Sequence, residues 1–95
     1  MIGTREKLIK RFLSMPKDFT FQELSRLLGY FGYEKYAKGK TSGSRVIFRH
    51  PEREFPIMLH KPHPQPQLKI YALRQILDEI KQAGFINDEL LNELK

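Results

Sequence analysis

Apolar residues recur at helical spacing over residues 4–14, where Leu8, Ile9, Phe12 and Leu13 share one side and Arg5, Lys7, Lys10 and Arg11 turn outward. This predicts an amphipathic helix capped by Thr4 and stopped before Pro16. Thr20, with Glu23 three positions on, reads as a capping box opening a second helix, whose buried stripe is Leu24, Leu27, Leu28 and Phe31 and whose end is bracketed by Gly29 and Gly32. The period then changes. Residues 33–38, 45–50 and 55–60 are short aromatic and β-branched runs separated by turn residues, which predicts a three-stranded antiparallel meander. In the middle run Val46 and Phe48 point to the helices, while Arg45, Ile47 and Arg49 point to an outer face available for binding. His50 follows the parity of Val46 and Phe48 and is expected to pack or to cap the turn.

Three prolines make residues 60–67 a stiff extended crossing. Residues 68–83 resume helical spacing through Ile70, Leu73, Ile76, Leu77 and Ile80, with Gly84 placed for a left-handed cap. Asn87 caps a last short helix carrying Leu90, Leu91 and Leu94, too brief to stand without docking and so free to fray or to serve a partner. The expected fold is α+β: a three-stranded antiparallel sheet with helices on one face, an α-β-β-β-α core with one extra helix at each end. A length of 95 residues suits one core, hence a single domain over 1–95.

Charge narrows the function. There are 17 Lys and Arg against 11 Asp and Glu, a net +6. Nine of the basic residues and only three acidic ones fall within residues 34–74, and the remainder cancel, so the whole excess belongs to the sheet, its loops and the start of the following helix. Such a cationic region suits a polyanion, and nucleic acid is the expected partner. Lys38-Gly39-Lys40-Thr41-Ser42-Gly43-Ser44 joins two strands with small residues and two ammonium groups, so its amides and hydroxyls suit phosphate oxygens. It lacks the spacing and following helix of a nucleotide-binding P-loop, and a plain flexible hairpin loop is the equal alternative. Tyr33, Tyr36 and Tyr71 are candidates for stacking on bases, against the commoner role of core residues with a wet hydroxyl.

The chain has no cysteine, which removes disulfides, thiolate metal sites and cysteine nucleophiles. His60 and His63 flank Pro62, and residues three apart in polyproline II lie roughly 9 Å apart along the axis, too far for an easy shared zinc. No metal, cofactor or small-molecule partner is expected. No secretory leader or membrane span is read, which points to the cytoplasm.

Taken in order, Gly43-Ser44-Arg45-Val46-Ile47-Phe48-Arg49-His50-Pro51, Leu59-His60-Lys61-Pro62-His63-Pro64, Leu73-Arg74-Gln75-Ile76-Leu77 and Gln82-Ala83-Gly84-Phe85-Ile86 resemble the HicA toxins, small bacterial mRNA interferases, over residues 20–86. The resemblance implies a fold similar to double-stranded RNA-binding domains, RNA cleavage without a protein cofactor, and neutralisation by a HicB antitoxin that covers the active site. It also marks a departure: HicA toxins carry a catalytic histidine directly after Gly-Ser, where this chain has Arg45. Guanidinium stays protonated, so Arg45 can hold a phosphate but cannot take a proton. His60 or His63 is then the candidate base of a metal-independent endoribonuclease.

The expected function is a HicA-like toxin that binds mRNA and, if active, cleaves it. Lys38, Lys40, Arg45 and Arg49 would sit on phosphates, with Ser44, Lys61 and Lys69 adding RNA contacts. Two alternatives stand beside it. One is a non-catalytic RNA-binding or antitoxin-binding module on the same fold, suggested by the missing histidine. The other is a protein-interaction domain, resting on the apolar C-terminal tail and on exposure of Ile47 and Met58.

Overall fold

A computed structural model gives the fold over residues 3–37, 45–60 and 65–94. The elements are α1 (Thr4–Leu13), α2 (Phe21–Tyr30), β1 (Glu34–Ala37), β2 (Arg45–Arg49), β3 (Ile57–His60), α3 (Ile70–Gln82) and α4 (Asp88–Glu93). The strands form one antiparallel sheet in the order β1-β2-β3. Fold class is as expected: α+β, with a dsRBD-like α-β-β-β-α core framed by α1 and α4.

Gly3, not Thr4, is the N-cap of α1. A capping residue needs extended backbone, which Gly3 adopts, so Thr4 becomes the first helical residue and its hydroxyl caps nothing. The helix ends where the Ser14 hydroxyl donates to the Arg11 carbonyl at 2.6 Å and Met15 turns left-handed with φ +52°. Pro16 supplies the reason, since the residue before proline is disfavoured in helical backbone. Arg11 was expected to face solvent and instead reaches α2. Its Nε donates to Glu23 at 2.8 Å, its Nη2 donates to Asp18 at 3.1 Å, and the guanidinium lies 5.5 Å from the Phe19 ring centre.

The capping box of α2 is present as read. The Glu23 amide donates to the Thr20 hydroxyl at 3.1 Å, and the Thr20 amide donates back to the Glu23 carboxylate at 2.9 Å. Gly32, at φ +98°, ends the helix, and the Tyr33 amide returns to the Leu28 carbonyl at 3.0 Å.

Val46, Phe48 and Ile57 face inward and join one apolar cluster with Leu8, Ile9 and Phe12 of α1, Leu24, Leu27 and Leu28 of α2, and Leu73, Ile76 and Ile80 of α3. α1 is therefore part of the core. α4 docks too: the Asn87 side chain accepts from the Leu90 amide at 2.9 Å, and Leu90 and Leu94 are buried, leaving Leu91 at the surface. The tail spends most of its apolar side chains internally, which removes one support of the protein-interaction alternative.

Lys61, Pro62, His63 and Pro64 lie outside the described residues. Beyond them the crossing docks on the entry to α2. The Phe21 amide donates to the Pro66 carbonyl at 3.0 Å, and the Leu68 amide to the Phe19 carbonyl at 2.8 Å. These two bonds bridge Gln67 to Thr20 in antiparallel fashion and tie down the Leu68 amide, which is why α3 begins at Ile70, two residues later than its apolar spacing suggests. Gly84, at φ +84°, caps α3 as expected, with the Phe85 amide on the Ile80 carbonyl at 3.0 Å.

Candidate nucleic-acid interface

The outer face of the sheet is set by register. Direct partners share a face, so the face consists of Glu34 opposite Arg49, the row Tyr36, Ile47 and Met58, and Arg45 opposite His60. Ile47 corrects an expectation: it is only 7% exposed, because at the centre of the middle strand Tyr36 and Met58 enclose it from both sides. Those flanking side chains stay open, Tyr36 at 49% and Met58 at 60%. The result is an apolar strip running across the three strands, with Arg45 on one side of it and Arg49 on the other. Arg45 and Arg49, four positions apart on one strand, lie about 13 Å apart along it.

Arg45, Arg49 and His60 are all exposed, and the face is not covered by α1. Directly opposed residues of antiparallel strands hold their Cβ atoms about 5 Å apart, which makes Arg45 and His60 immediate neighbours. Lys69 stands elsewhere: it is the exposed N-cap of α3 and lines a shallow groove with Lys17, Asp18 and Gln67 in the helix layer. Lys38, Lys40, Ser44, Lys61 and His63 lie outside the described residues. Of the candidate stacking rings, Tyr33 is buried in the core, which also raises its pKa, while Tyr36 and Tyr71 are exposed. Only Tyr36 belongs to the sheet face.

Next to Arg49 the face opens into a cavity of about 300 Å³ lined by Glu34, Tyr36, Arg49, Pro51, Arg53 and Glu54, among others. The Tyr36 hydroxyl donates to the Glu34 carboxylate at 2.8 Å, and that bond raises the phenol pKa, keeping the proton in place. Arg53 is anchored from the helix side by Glu79 at 3.5 Å. Arg49 and Glu54 have no hydrogen bond or ion pair to described residues. Sequence reasoning missed Arg53, Glu54 and Glu34. The alternation of strand residues could have placed Glu34 beside Tyr36, but the turn that delivers Arg53 and Glu54 carries no local signal.

His50 builds that turn. The Glu52 amide donates to Nδ1 at 3.0 Å, so the ring proton sits on Nε2, which lies 3.0 Å from the Phe31 carbonyl and donates to it. The Arg53 amide closes on the His50 carbonyl at 3.1 Å. With both nitrogens engaged and the ring buried against Tyr33 and Phe85, His50 is structural, as its parity suggested. That leaves His60 as the described histidine with an exposed side chain. Among the described residues no three His, Asp or Glu side chains converge as a metal site would need. No helix among them is long and apolar enough to cross a membrane.

Comparison with curated proteins and with solved structures gives no match. A family model described as the HicA toxin of bacterial toxin-antitoxin matches residues 21–85, which spans α2, the whole sheet and α3. The match covers well over half of the sequence and agrees with the order of motifs from Thr20 onward. A toxin of this kind has an antitoxin as its partner, and the open sheet face lies inside the matched segment. The chain belongs to the HicA toxin family of toxin–antitoxin systems.

Proposed function

We propose that this toxin acts on RNA across the open sheet face, as an endoribonuclease of the mRNA interferase type. One observation carries the reading: Arg45 and His60 are direct cross-strand partners, both exposed, beside the apolar strip. Imidazole changes charge in the neutral range and suits removal of the ribose 2′-OH proton, while guanidinium holds the adjacent phosphate and the charge that develops on it. In the step, the 2′ oxygen attacks the neighbouring phosphorus as His60 takes its proton. The bond to the 5′ oxygen breaks, leaving a 2′,3′-cyclic phosphate and a 5′-hydroxyl whose proton comes from solvent. The base thus stands one strand away from the position where HicA toxins carry theirs.

His63 is the second candidate base. Lys38, Lys40, Ser44 and Lys61 belong by sequence to the segments flanking Arg45 and His60, and are proposed to bind neighbouring phosphates. Arg49 binds RNA at the far end of β2, and Lys69 extends the contact toward the helix layer. A HicB-like antitoxin would neutralise the toxin by covering the same face in the cytoplasm. Residues 20–86 are taken as the HicA-like core of a single domain over 1–95. The second reading is an RNA-binding or antitoxin-binding module without turnover, and Arg45 after Gly43-Ser44 is the feature that favours it.

Labelled mRNA incubated with the protein in EDTA decides between them. Wild type is expected to cleave, His60→Ala to lose about 100-fold in rate, and His63→Ala to keep most of it. Salt-sensitive retention of RNA without cleavage supports the second reading, and a full effect at His63 alone moves the base there.

A further inference from the structure

We propose that the cavity beside Arg49 is a guanine pocket, which reads one base of the single-stranded RNA lying on the sheet. The inference rests on the RNA reading above and deepens it. A carboxylate on a surface meant for polyanions opposes binding unless the ligand brings donors to it. Here the cavity holds both signs: Arg49 and Glu54 both line it, and neither makes a hydrogen bond or ion pair to a described residue. The Glu34 carboxylate beside them accepts from Tyr36, and Arg53 reaches Glu79 through Nη2, its buried Nε having no partner among the described residues. A ligand that uses Arg49 and Glu54 together presents acceptors to a planar fork and donors to a planar carboxylate.

Guanine does both at once. Its O6 and N7 accept from an arginine fork, the commonest base-specific contact of that side chain, and its N1–H and N2–H₂ form a matching pair of donors for a carboxylate. Adenine and cytosine each place one donor next to an acceptor, and uracil has a single ring donor, so none of them satisfies both planar groups bidentately. The walls suit a base as well. The ring of Tyr36, fixed by its hydroxyl bond to Glu34, and the faces of Pro51 and Pro56 supply apolar surface. About 300 Å³ sits at the small end of ligand pockets, the scale of one nucleoside.

The turn that carries Glu54 is also built in advance. The turn carrying Arg53 and Glu54 is held by the Glu52 amide on His50 Nδ1, the Arg53 amide on the His50 carbonyl and the Arg53 side chain on Glu79. The turn backbone therefore needs no ordering on binding, and the cost falls on the Arg49 and Glu54 side chains. Its position matters too: it adjoins Arg49, at the opposite end of β2 from Arg45 and His60. A guanine seated there would set which phosphodiester reaches His60.

The test uses fluorescently labelled hexauridylate and three versions in which one uridine is replaced by guanosine, adenosine or cytidine, with binding followed by anisotropy at fixed salt. The guanosine version is expected to bind wild type about 10-fold more tightly than the adenosine version. Arg49→Lys, which keeps the charge but loses the fork, and Glu54→Gln, which keeps the size but breaks the paired acceptor, should each bring that ratio close to one. Both residues are exposed, so neither change threatens the fold. Equal binding of all four oligonucleotides overturns the pocket while leaving the RNA face standing. A preference that survives in both variants also overturns it. Failure of every oligonucleotide to bind removes the RNA reading and the pocket with it.

Discussion

At the residue scale, the two described histidines, His50 and His60, differ in what surrounds them. His50 links the end of α2 to the β2–β3 turn and packs against Tyr33 and Phe85, at ring separations of 5.1 and 4.7 Å. The fit is tight enough that a Cβ on Gly32 would stand 2.8 Å from His50 Nε2. Replacing His50 by leucine keeps the bulk but strands the Phe31 carbonyl and the Glu52 amide. We expect His50→Leu to cost about 2 kcal/mol, read from urea unfolding at neutral pH, because each buried group left unpaired costs about 1–3 kcal/mol. A change within about 0.5 kcal/mol would mean that water replaces both bonds. The inward parity of His50 was legible from Val46 and Phe48. Its partner Phe31 was not, because 19 residues of chain separate the two and no local rule joins them.

At the element scale, one carboxylate does two jobs. Glu23 closes the capping box of α2 and binds Arg11 of α1, so the helix start is also the joint between the first two helices. The hydrogen bond from Arg11 is the largest influence on Glu23 and, with help from Thr20, outweighs its partial burial, pulling its pKa down to about 2. The same contact raises Arg11 still further above its already high range. Because the folded pKa lies below the ordinary 4.5, this stabilisation is fully present above that value and is lost as pH falls toward 2. Glu23→Gln is therefore expected to unfold more easily than wild type at pH 7, by about 1 kcal/mol, with the gap closing between pH 4.5 and 2. Parallel urea titrations across that range check it, and a gap that stays constant to pH 2 would show that charge on Glu23 contributes nothing. The capping box was readable from Thr20 and Glu23 alone. Arg11 was misplaced because helical periodicity sorts side chains by apolar face and cannot see a carboxylate on the next helix.

At the scale of the whole molecule, helices bury one side of the sheet and leave the other to a partner, and Arg45 and Arg49 stand on the open side. The alternation along β2 made both faces legible and put Arg45 and Arg49 on the open one. What stayed hidden were consequences of register and turn geometry: Arg45 meeting His60, Ile47 enclosed by its neighbours, and a turn that brings Arg53 and Glu54 up to Arg49. The two arginines of β2 then have different work. A side chain that neutralises a phosphate releases a counterion from single-stranded RNA and adds about 0.7 to the slope of log affinity against log salt. A side chain that reads a base sets preference among sequences. Arg45→Ala is accordingly expected to lower the slope by about 0.7 and to weaken guanosine- and adenosine-containing RNA alike. Lys10→Ala, on the solvent side of α1, removes the same charge from the helix layer and should leave the slope where it was. If both substitutions lower it equally, affinity follows net charge alone, and the cations of the sheet have no privileged place in binding.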